Sequence, residues 1–151
     1  MLKDPSCTFV VGINDQILCG DGWYERTVDG RFGMMHRPAG PRAVFHLDLP
    51  PGRNEISVLM SASSSLCDGG TMRGQLIMDD LPVGRFSLDT DDWVLRRFLL
   101  PESPGGRVQF HWITENPFIP HTRLQNGDFR PIGPYVAAAR VSPAINGAQQ
   151  P

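Results

Sequence analysis

Short strand-like segments separated by turn residues run along almost the whole chain, and this pattern restricts the folds that it can adopt. In residues 43–49 every second side chain is apolar, as expected for a strand with one face toward a core: Ala43, Phe45, Leu47 and Leu49. A Pro-Pro-Gly turn at 50–52 ends this segment, and residues 54–62 predict the next strand. The 16 glycines and 14 prolines show no repeat period, which is typical of turns between strands.

Turn signals recur about every 8–12 residues, which is the spacing found in β-sandwiches and β-barrels. Further strands are predicted at 75–78, 83–88, 93–100, 108–113 and 135–141. The sequence therefore predicts an all-β fold, a single antiparallel β-sandwich of about eight to ten strands. The chain has 151 residues, enough for one domain with its own core. We place this domain at residues 1–141 and predict a flexible C-terminal tail at 142–151.

Two turns with adjacent strands are predicted in the N-terminal third of the chain. Residues 8–11 and 16–19 are apolar segments on either side of an Asn-Asp pair, which predicts two strands around a turn. The Asp-Gly pair at 29–30 is a strong hairpin-turn signal, and a strand is expected to follow it at 31–36.

Two later segments are predicted to be loops. The serine-rich segment 61–70 is small and polar, and we expect it to be exposed and mobile. A short helical turn is the alternative at its C-terminal end, although two glycines disfavour it. Four prolines make 116–134 a long ordered loop rather than a helix.

The charge balance argues against two classes of partner. With 14 Lys and Arg against 16 Asp and Glu, the net charge is −2, whereas nucleic-acid binders usually carry a basic stripe. The arginines are scattered rather than clustered in a membrane-binding patch, and no segment approaches the roughly 20 apolar residues of a membrane span. The first residues lack the apolar core of a secretory signal, so a complete chain of this sequence is expected to be cytoplasmic.

The cysteines indicate neither a disulfide framework nor a structural zinc site. Cys7, Cys19 and Cys67 are an odd number and include no Cys-x-x-Cys pair. We expect three reduced thiols that serve as small apolar side chains.

No catalytic motif is visible, so the chain is predicted not to be an enzyme and no catalytic residue is assigned. The four histidines form no HxH or HExxH spacing, and the serine cluster at 61–65 has no GxSxG context. His46 and His111 both lie within predicted strands and would face each other across a sheet in one arrangement. A small metal-dependent sugar-modifying enzyme that uses this pair is therefore an alternative.

No cofactor or metal site is predicted, with one alternative left open. The acidic turns at 79–80 and 89–92 offer carboxylate oxygens, which Ca²⁺ prefers as ligands, but they lack the EF-hand pattern. Turn chemistry alone explains Asp at such positions. A single structural Ca²⁺ remains the alternative.

Aromatic residues beside acidic residues give the best candidates for ligand contact. Trp23 and Tyr24 follow a glycine-rich turn and precede Glu25. A flat ring beside a carboxylate can stack on a sugar face and hydrogen-bond its hydroxyls, although packing is the commoner role for such rings. Asp128 and Arg130 lie two residues apart in a predicted turn, where they either form a local salt bridge or point toward a ligand. Trp93 and Trp112 lie in strand patterns, so we expect both in the core.

The two ends of the chain resemble a known family. Residues 22–25 are Gly-Trp-Tyr-Glu, and 30–32 are Gly-Arg-Phe followed by a pair of methionines. Residues 128–133, Asp-Phe-Arg-Pro-Ile-Gly, are similar to the family's Asp-x-Arg motif before a Leu-Gly and a final strand. Over residues 10–141 the chain resembles the small jelly-roll-like β-sandwich found with bacterial glycosyltransferases and polysaccharide-assembly proteins. The family usually has a Trp where this chain has Met34, so ring stacking is not expected there.

The resemblance implies a non-catalytic accessory domain, similar to carbohydrate-binding modules and linked to bacterial glycan synthesis. Its partner would be a glycan or a glycan-assembly protein. The predicted contact residues are Trp23, Tyr24 and Glu25, with Asp128 and Arg130 shaping the same end of the sandwich. The alternative is a structural or protein-interaction β-sandwich that docks or forms a homodimer through its edge strands.

Overall fold

A computed structural model describes residues 7–144 of the chain. Ten strands and two short helices lie within this range. The strands are β1 (Thr8–Val10), β2 (Thr27–Val28), β3 (Met35–Pro38), β4 (Arg42–Leu49), β5 (Asn54–Ser61), β6 (Met72–Met78), β7 (Leu81–Leu88), β8 (Val94–Leu99), β9 (Gly106–Thr114) and β10 (Tyr135–Pro143). The helices are α1 (Asp15–Leu18) and α2 (Pro120–Leu124), and two 3₁₀ turns cover Ser64–Leu66 and Asp68–Gly70.

The strands form two antiparallel sheets. In the first sheet the order is β2-β3-β10-β5-β8, and β1 pairs with β10 beyond the end of β3. The second sheet has the order β4-β9-β6-β7. The fold class predicted from the sequence, a single antiparallel β-sandwich with about eight to ten strands, is therefore confirmed. The last strand runs to Pro143, two residues beyond the boundary predicted at 141, and 145–151 of the predicted tail lie outside the described residues.

The core lies between the inner faces of the two sheets. The alternation predicted for residues 43–49 is present, because all four apolar side chains on that face of β4 are buried. Other strands of both sheets contribute a further set of buried apolar residues: Ile56, Val58 and Met60 from β5 of the opposite sheet, and Leu76 from β6, Phe86 and Leu88 from β7, and Phe110 and Trp112 from β9 of the same sheet. The predicted core position of Trp112 is confirmed, since its side chain has no exposed surface.

The strands predicted at 75–78 and 83–88 form a hairpin whose turn is at residues 79–80. Strands β6 and β7 pair from Met72 with Leu88 to Met78 with Leu81. Asp79 and Asp80 both have positive φ, 46° and 70°, which is the conformation that a tight hairpin turn of the primed type requires. Aspartate tolerates this conformation better than most residues, so the acidic pair is explained by the turn itself.

The strand predicted at 16–19 is wrong, because residues 15–18 form the helix α1. Two side chains favour the helical turn by accepting hydrogen bonds from the preceding backbone. Asn14 Oδ1 accepts from the Val10 N–H at 2.8 Å, and Asp15 Oδ1 accepts from the Gly12 N–H at 2.8 Å. Such local bonds compete with strand pairing and stabilise a turn.

The strand predicted at 31–36 begins later, at Met35. The reason is Asp29, whose Oδ1 accepts hydrogen bonds from the N–H groups of Arg31 and Phe32 at 2.6 and 3.0 Å. The carboxylate thereby holds residues 29–33 in a turn, and the pairing of β2 with β3 can start only beyond it.

Segment 61–70 is not the exposed loop that was predicted. Ser61, Ala62, Ser64 and Cys67 are buried, and the 3₁₀ turns occupy most of the segment. The hydroxyl groups of Ser61 and Ser64 donate to backbone carbonyls of residues 91 and 90, which satisfies them inside the protein. Segment 116–134 is irregular as predicted, apart from α2, which begins with Pro120 at its first position.

Gly22 is required by the backbone that leads into the Trp23-Tyr24-Glu25 segment. Its φ is +94°, and a Cβ at this position would lie 1.8 Å from the carbonyl oxygen of Arg42. The Gly22 carbonyl also accepts a hydrogen bond from the N–H of Gly40 at 2.7 Å. Any other side chain would push the segment away from β4.

Replacing Gly22 with Ala should lower the free energy of unfolding by about 2 kcal/mol or more, because it adds both backbone strain and a steric clash. The matched control is Gly30→Ala, since a Cβ at Gly30 meets no atom within 4 Å. That control should change the stability by less than about 0.5 kcal/mol. Chemical denaturation of both variants measures the difference, and equal stabilities would contradict the proposed constraint.

Candidate functional site

Several loops meet at one end of the sandwich, which we call the loop end. It comprises residues 20–34, 61–71, 89–93 and 115–134. Hydrogen bonds connect these loops to one another. Ser61 Oγ donates to the carbonyl of Asp91 at 3.1 Å, and Asn116 Nδ2 donates to the carbonyl of Thr71 at 2.7 Å. The loop end is therefore a cross-linked surface rather than a set of independent loops.

Trp23 lies beneath this surface. Its ring is partly buried and packs against Phe9 and Phe45, with ring centroids 6.0 and 6.4 Å apart. Its indole N–H donates to the carbonyl of Val44 at 2.7 Å. These contacts give Trp23 a packing role, the commoner role for a ring of this kind.

Tyr24, Asp128 and Arg130 come together at the loop end. The Tyr24 hydroxyl donates to the carbonyl of Pro131 at 2.8 Å, and the Arg130 guanidinium lies over the Tyr24 ring, 4.9 Å from its centroid. Arg130 also forms a bidentate pair with Asp128, with Nε and Nη2 at 2.9 and 2.7 Å from the two carboxylate oxygens. The cation–π contact and the Tyr24–Pro131 hydrogen bond hold the 115–134 loop against the Tyr24 segment, and the salt bridge orients Arg130 within that loop.

This salt bridge perturbs the protonation of Asp128. The hydrogen bonds from the Arg130 side chain and backbone lower the pKa of Asp128 to about 2. The carboxylate is thus ionised under all physiological conditions. Glu25, the remaining predicted contact residue, is exposed to solvent on the same segment as Tyr24.

An open depression of about 660 Å³ lies beside this cluster. Its lining residues are Arg31, Phe32, Met34, Asp92 and Trp93. The Phe32 side chain is 53% exposed, and the Arg31 guanidinium lies 4.7 Å from the centre of its ring. Arg31 Nη2 also lies 3.0 Å from an Asp92 carboxylate oxygen. The depression therefore combines a solvent-exposed ring with a charged pair.

Asp29 positions both aromatic walls of the depression. One carboxylate oxygen accepts the N–H groups of the Phe32 turn, and the other accepts the Trp93 indole N–H at 2.9 Å. The hydrogen bond from Trp93 is the main reason that the pKa of Asp29 lies below its ordinary value. Trp93 was expected in the core, but it is only partly buried and stands just before β8.

A row of rings connects the depression to the Tyr24 cluster. His36 is buried and lies between Trp93 and Tyr135, with ring centroids 5.3 and 5.0 Å away. The Tyr135 hydroxyl shares a hydrogen bond of 2.5 Å with Ser63 Oγ. Arg130 lies within electrostatic range of Tyr135 as well as of Tyr24. The buried His36 ring thus contacts Trp93 of the depression on one side and Tyr135 on the other.

Sequence reasoning missed several residues of this surface. Phe32 was noted only within the resemblance, and Phe129, whose side chain is 66% exposed, was not singled out. Phe129 packs on His121 of α2 with ring centroids 4.2 Å apart. An aromatic residue between turn residues, as in Arg-Phe-Gly and Asp-Phe-Arg, is the sequence signal that marks both.

His46 and His111, which the alternative enzyme hypothesis would use, lie on the outer face of the second sheet. His46 pairs in register with Gln109, and His111 pairs with Val44, so the two histidines are diagonal neighbours. His111 is buried, and burial is the main cause that lowers its pKa, with the Arg42 charge adding to the effect. Among residues 7–144, no group of three or more His, Cys, Asp or Glu side chains is arranged to hold a metal ion.

The described part of the chain contains no disulfide. Burial raises the pKa of the Cys19 thiol to about 12, which makes it unreactive at neutral pH. No helix within residues 7–144 is long and apolar enough to cross a membrane.

Solved structures with the same architecture are carbohydrate-active proteins and their binding modules. The chain matches a family GH115 4-O-methyl-alpha-glucuronidase with specificity for decorated arabinogalactans at a TM-score of 0.60 and 10% identity, over 96% of this chain and 18% of that protein. It matches a family 35 carbohydrate binding module from an environmental isolate at a TM-score of 0.54 and 9% identity, over 92% of this chain and 98% of the module.

A third match is the CBM36-1 domain of a multidomain xylanase from the hindgut metagenome of Trinervitermes trinervoides. The TM-score is 0.52 and the identity 8%, over 87% of this chain and 94% of that domain. At these identities the likeness establishes the fold, a jelly-roll β-sandwich of the kind found in carbohydrate-binding modules. The predicted jelly-roll-like fold is thus confirmed. No protein-family model and no curated protein sequence matches the chain.

Replacing Trp23 with Ala should lower the free energy of unfolding by about 2–3 kcal/mol, because the change removes ring packing and one of the two hydrogen bonds that the Val44 carbonyl accepts, the other coming from the Gly20 N–H. Phe32→Ala is the matched control, since more than half of the Phe32 side chain is exposed. It should change the stability by less than about 0.5 kcal/mol. Thermal and chemical denaturation measure both variants, and equal stabilities would place the Trp23 ring at the surface instead.

Replacing Arg130 with Gln should return the pKa of Asp128 from about 2 toward its ordinary value of 3.8. Because the pKa of Asp128 is lowered in the folded state, the salt bridge stabilises the fold above the ordinary pKa, and this contribution is lost as the pH falls through about 2. A carboxyl NMR titration measures the shift. The internal control is Asp15: burial would raise its pKa, but hydrogen bonds from Arg37 and Gly12 hold it below the ordinary value, and it should not change.

Proposed function

We propose that this chain is a non-catalytic carbohydrate-binding module whose ligand surface is the loop end. The observation that carries the proposal is the depression in which an exposed Phe32 and a partly buried Trp93 stand beside the Arg31–Asp92 pair. A flat ring contacts the C–H face of a sugar, and charged groups at its edge hydrogen-bond the hydroxyls. The jelly-roll fold, which carbohydrate-binding modules share, supports the same function.

The residues predicted from the sequence have distinct roles in this proposal. Tyr24 and Glu25 lie on the 20–34 segment, which also carries Arg31 and Phe32 of the depression, and the Asp128–Arg130 pair shapes the 115–134 loop and offers further hydrogen-bonding groups to the sugar. Because the Phe32 ring is largely exposed, whereas Tyr24 is partly buried and its hydroxyl is bonded to the Pro131 carbonyl, we assign the main stacking contact to Phe32. Trp23 supports this surface from below through its packing.

The affinity for a single glycan should be modest. The depression is open to solvent, and only a few polar groups line it, so binding buries little surface and few hydrogen bonds. Dissociation constants in the range of about tens of micromolar or weaker are expected for such a site.

We also propose an accessory role beside a larger glycan-active protein. The chain spans 18% of the length of the glucuronidase that it matches and 28% of an exo-beta-1,3-galactanase from Phanerochaete chrysosporium, at a TM-score of 0.55 and 9% identity. This fold therefore occurs as one part of larger carbohydrate-active proteins. We further propose a role in bacterial glycan synthesis, with a glycan-assembly protein as partner. The resemblance of both ends of the chain to the glycosyltransferase-associated family supports this role. Co-purification from the native host tests it.

The first experiment is a glycan-array screen of the wild-type chain beside Phe32→Ala and Glu25→Gln. We expect Phe32→Ala to weaken binding about tenfold, which corresponds to about 1.4 kcal/mol, because it removes the stacking surface without disturbing the core. Glu25→Gln should weaken binding to a smaller extent, since it keeps the shape and removes one charged hydrogen-bond acceptor.

The matched control is Leu81→Ala, an equally exposed apolar residue at the β6–β7 turn. It should bind like the wild type. Absence of glycan binding by the wild type, together with a stable dimer in light scattering, would contradict the proposal and favour the alternative protein-interaction module. Full binding by Phe32→Ala would place the sugar site elsewhere.

A further inference from the structure

The outer face of the first sheet carries a second depression, which shares no lining residue with the one at the loop end. Its volume is about 910 Å³. Register pairing brings four residues into one row across four strands, with Thr8 of β1 beside Arg140 of β10, then Ser57 of β5 and Arg97 of β8. We call these four residues the arginine row. Their sequence neighbours Ile56, Val58 and Val141 point into the core, so the row faces solvent.

The two arginines of this row have little neutralising charge around them. Both are exposed, and one strand separates them, which places their Cα atoms about 10 Å apart. Arg97 Nε lies 3.9 Å from a Glu55 carboxylate oxygen, with side chains that are 65% and 36% exposed, so the pair is loose. The Arg140 guanidinium has no ion pair with any residue between 7 and 144.

We propose that the arginine row binds a carboxylated polysaccharide, a chain of uronic acid residues lying across the strands. A guanidinium binds a carboxylate through two parallel hydrogen bonds, and two guanidinium groups on one face would engage two carboxylates of the same chain. The hydroxyls of Thr8, Ser57 and Ser142 line the same depression and can bond sugar hydroxyls.

The remaining lining favours a glycan over an extended acidic peptide. Leu59 and Leu95 lie in the next row of the sheet, directly paired with each other, and offer apolar contact to the C–H groups of a sugar ring. An extended peptide binds a sheet through backbone hydrogen bonds at an edge strand. Thr8 and Arg97 lie on the flanking strands β1 and β8, but β10 and β5 between them are interior strands with neighbours on either side, so the centre of this face offers side chains only.

This inference adds a second site to the proposed carbohydrate-binding module, and its test is separate from that of the loop end. The full chain is tested by isothermal titration calorimetry against polygalacturonate and against alginate, with methyl-esterified polygalacturonate as the uncharged counterpart. We expect binding to both acidic polymers, weaker binding at high salt because the contacts are ionic, and no measurable binding to the ester at this site.

The decisive variant is Arg97→Gln/Arg140→Gln. It should lose roughly tenfold or more in affinity for the acidic polymers, because both charge-assisted contacts are removed. The matched control is Arg73→Gln/Arg85→Gln, which removes the same net charge from exposed positions on the second sheet. This control should bind like the wild type.

Several results would overturn the inference. Equal losses in the two double variants would mean that only net charge matters. Wild-type binding of neutral glycans but of neither acidic polymer would reject the arginine row and leave the loop-end function standing. A wild-type dimer that Arg97→Gln/Arg140→Gln dissociates would identify this face as an interface between two copies. Binding of acidic polymers that Phe32→Ala abolishes and the arginine variant keeps would assign the uronate to the loop end.

Discussion

Ring packing around Trp112 holds the two sheets together, and the rest of the structure depends on it. Trp112 is fully buried on β9 and meets Phe98 of the opposite sheet with ring centroids 5.9 Å apart, and Phe86 of its own sheet at 5.6 Å. Phe45 stacks on Phe110 at 5.0 Å with an interplanar angle of 11°. The Trp112 indole N–H has no hydrogen-bond partner among the described residues, a cost of about 1–3 kcal/mol. The buried rings must offset this cost, and their rigidity fixes the spacing of the sheets.

The Trp23–Tyr24 segment connects the loop end to this core. The two residues are consecutive, so their side chains point in different directions. The Trp23 ring packs against Phe45, and the Tyr24 hydroxyl donates to the Pro131 carbonyl in the 115–134 loop. The conformation of Gly22 determines that Trp23 faces the core and Tyr24 faces the 115–134 loop. Only glycine can adopt it, because the backbone approaches Arg42 closely at this position. A binding surface built in this way is coupled to the stability of the core. A loss of binding in a Trp23 variant alone would therefore say little about sugar contact.

Alternation and turn residues predicted the regular strands. Period-two alternation identified β4, and the acidic turn at 79–80 separates the two strands of the β6–β7 hairpin. The errors at 16–19 and 31–36 have a local cause, since hydrogen bonds from the backbone to Asn14, Asp15 and Asp29 replace strand pairing there. Other errors concern residues whose partners are distant in sequence. Trp93 is drawn out of the core by a hydrogen bond to Asp29, 64 positions away. For the site, the sequence predicted Tyr24 and Arg130 separately. Their stacking depends on the position of the 115–134 loop, where the Pro131 carbonyl accepts a hydrogen bond from Tyr24, 107 positions away.

The charge of the whole molecule determines how an acidic ligand would reach the arginine row. With 16 acidic against 14 basic residues, the net field does not steer an anion toward the protein. At physiological ionic strength, charges beyond about 8 Å are largely screened, so an approaching carboxylate responds mainly to the nearest side chains. There Arg97 and Arg140 outnumber Glu55. Recognition of an acidic glycan by this face therefore rests on local geometry, in which two guanidinium groups spaced by the sheet meet two carboxylates of one chain.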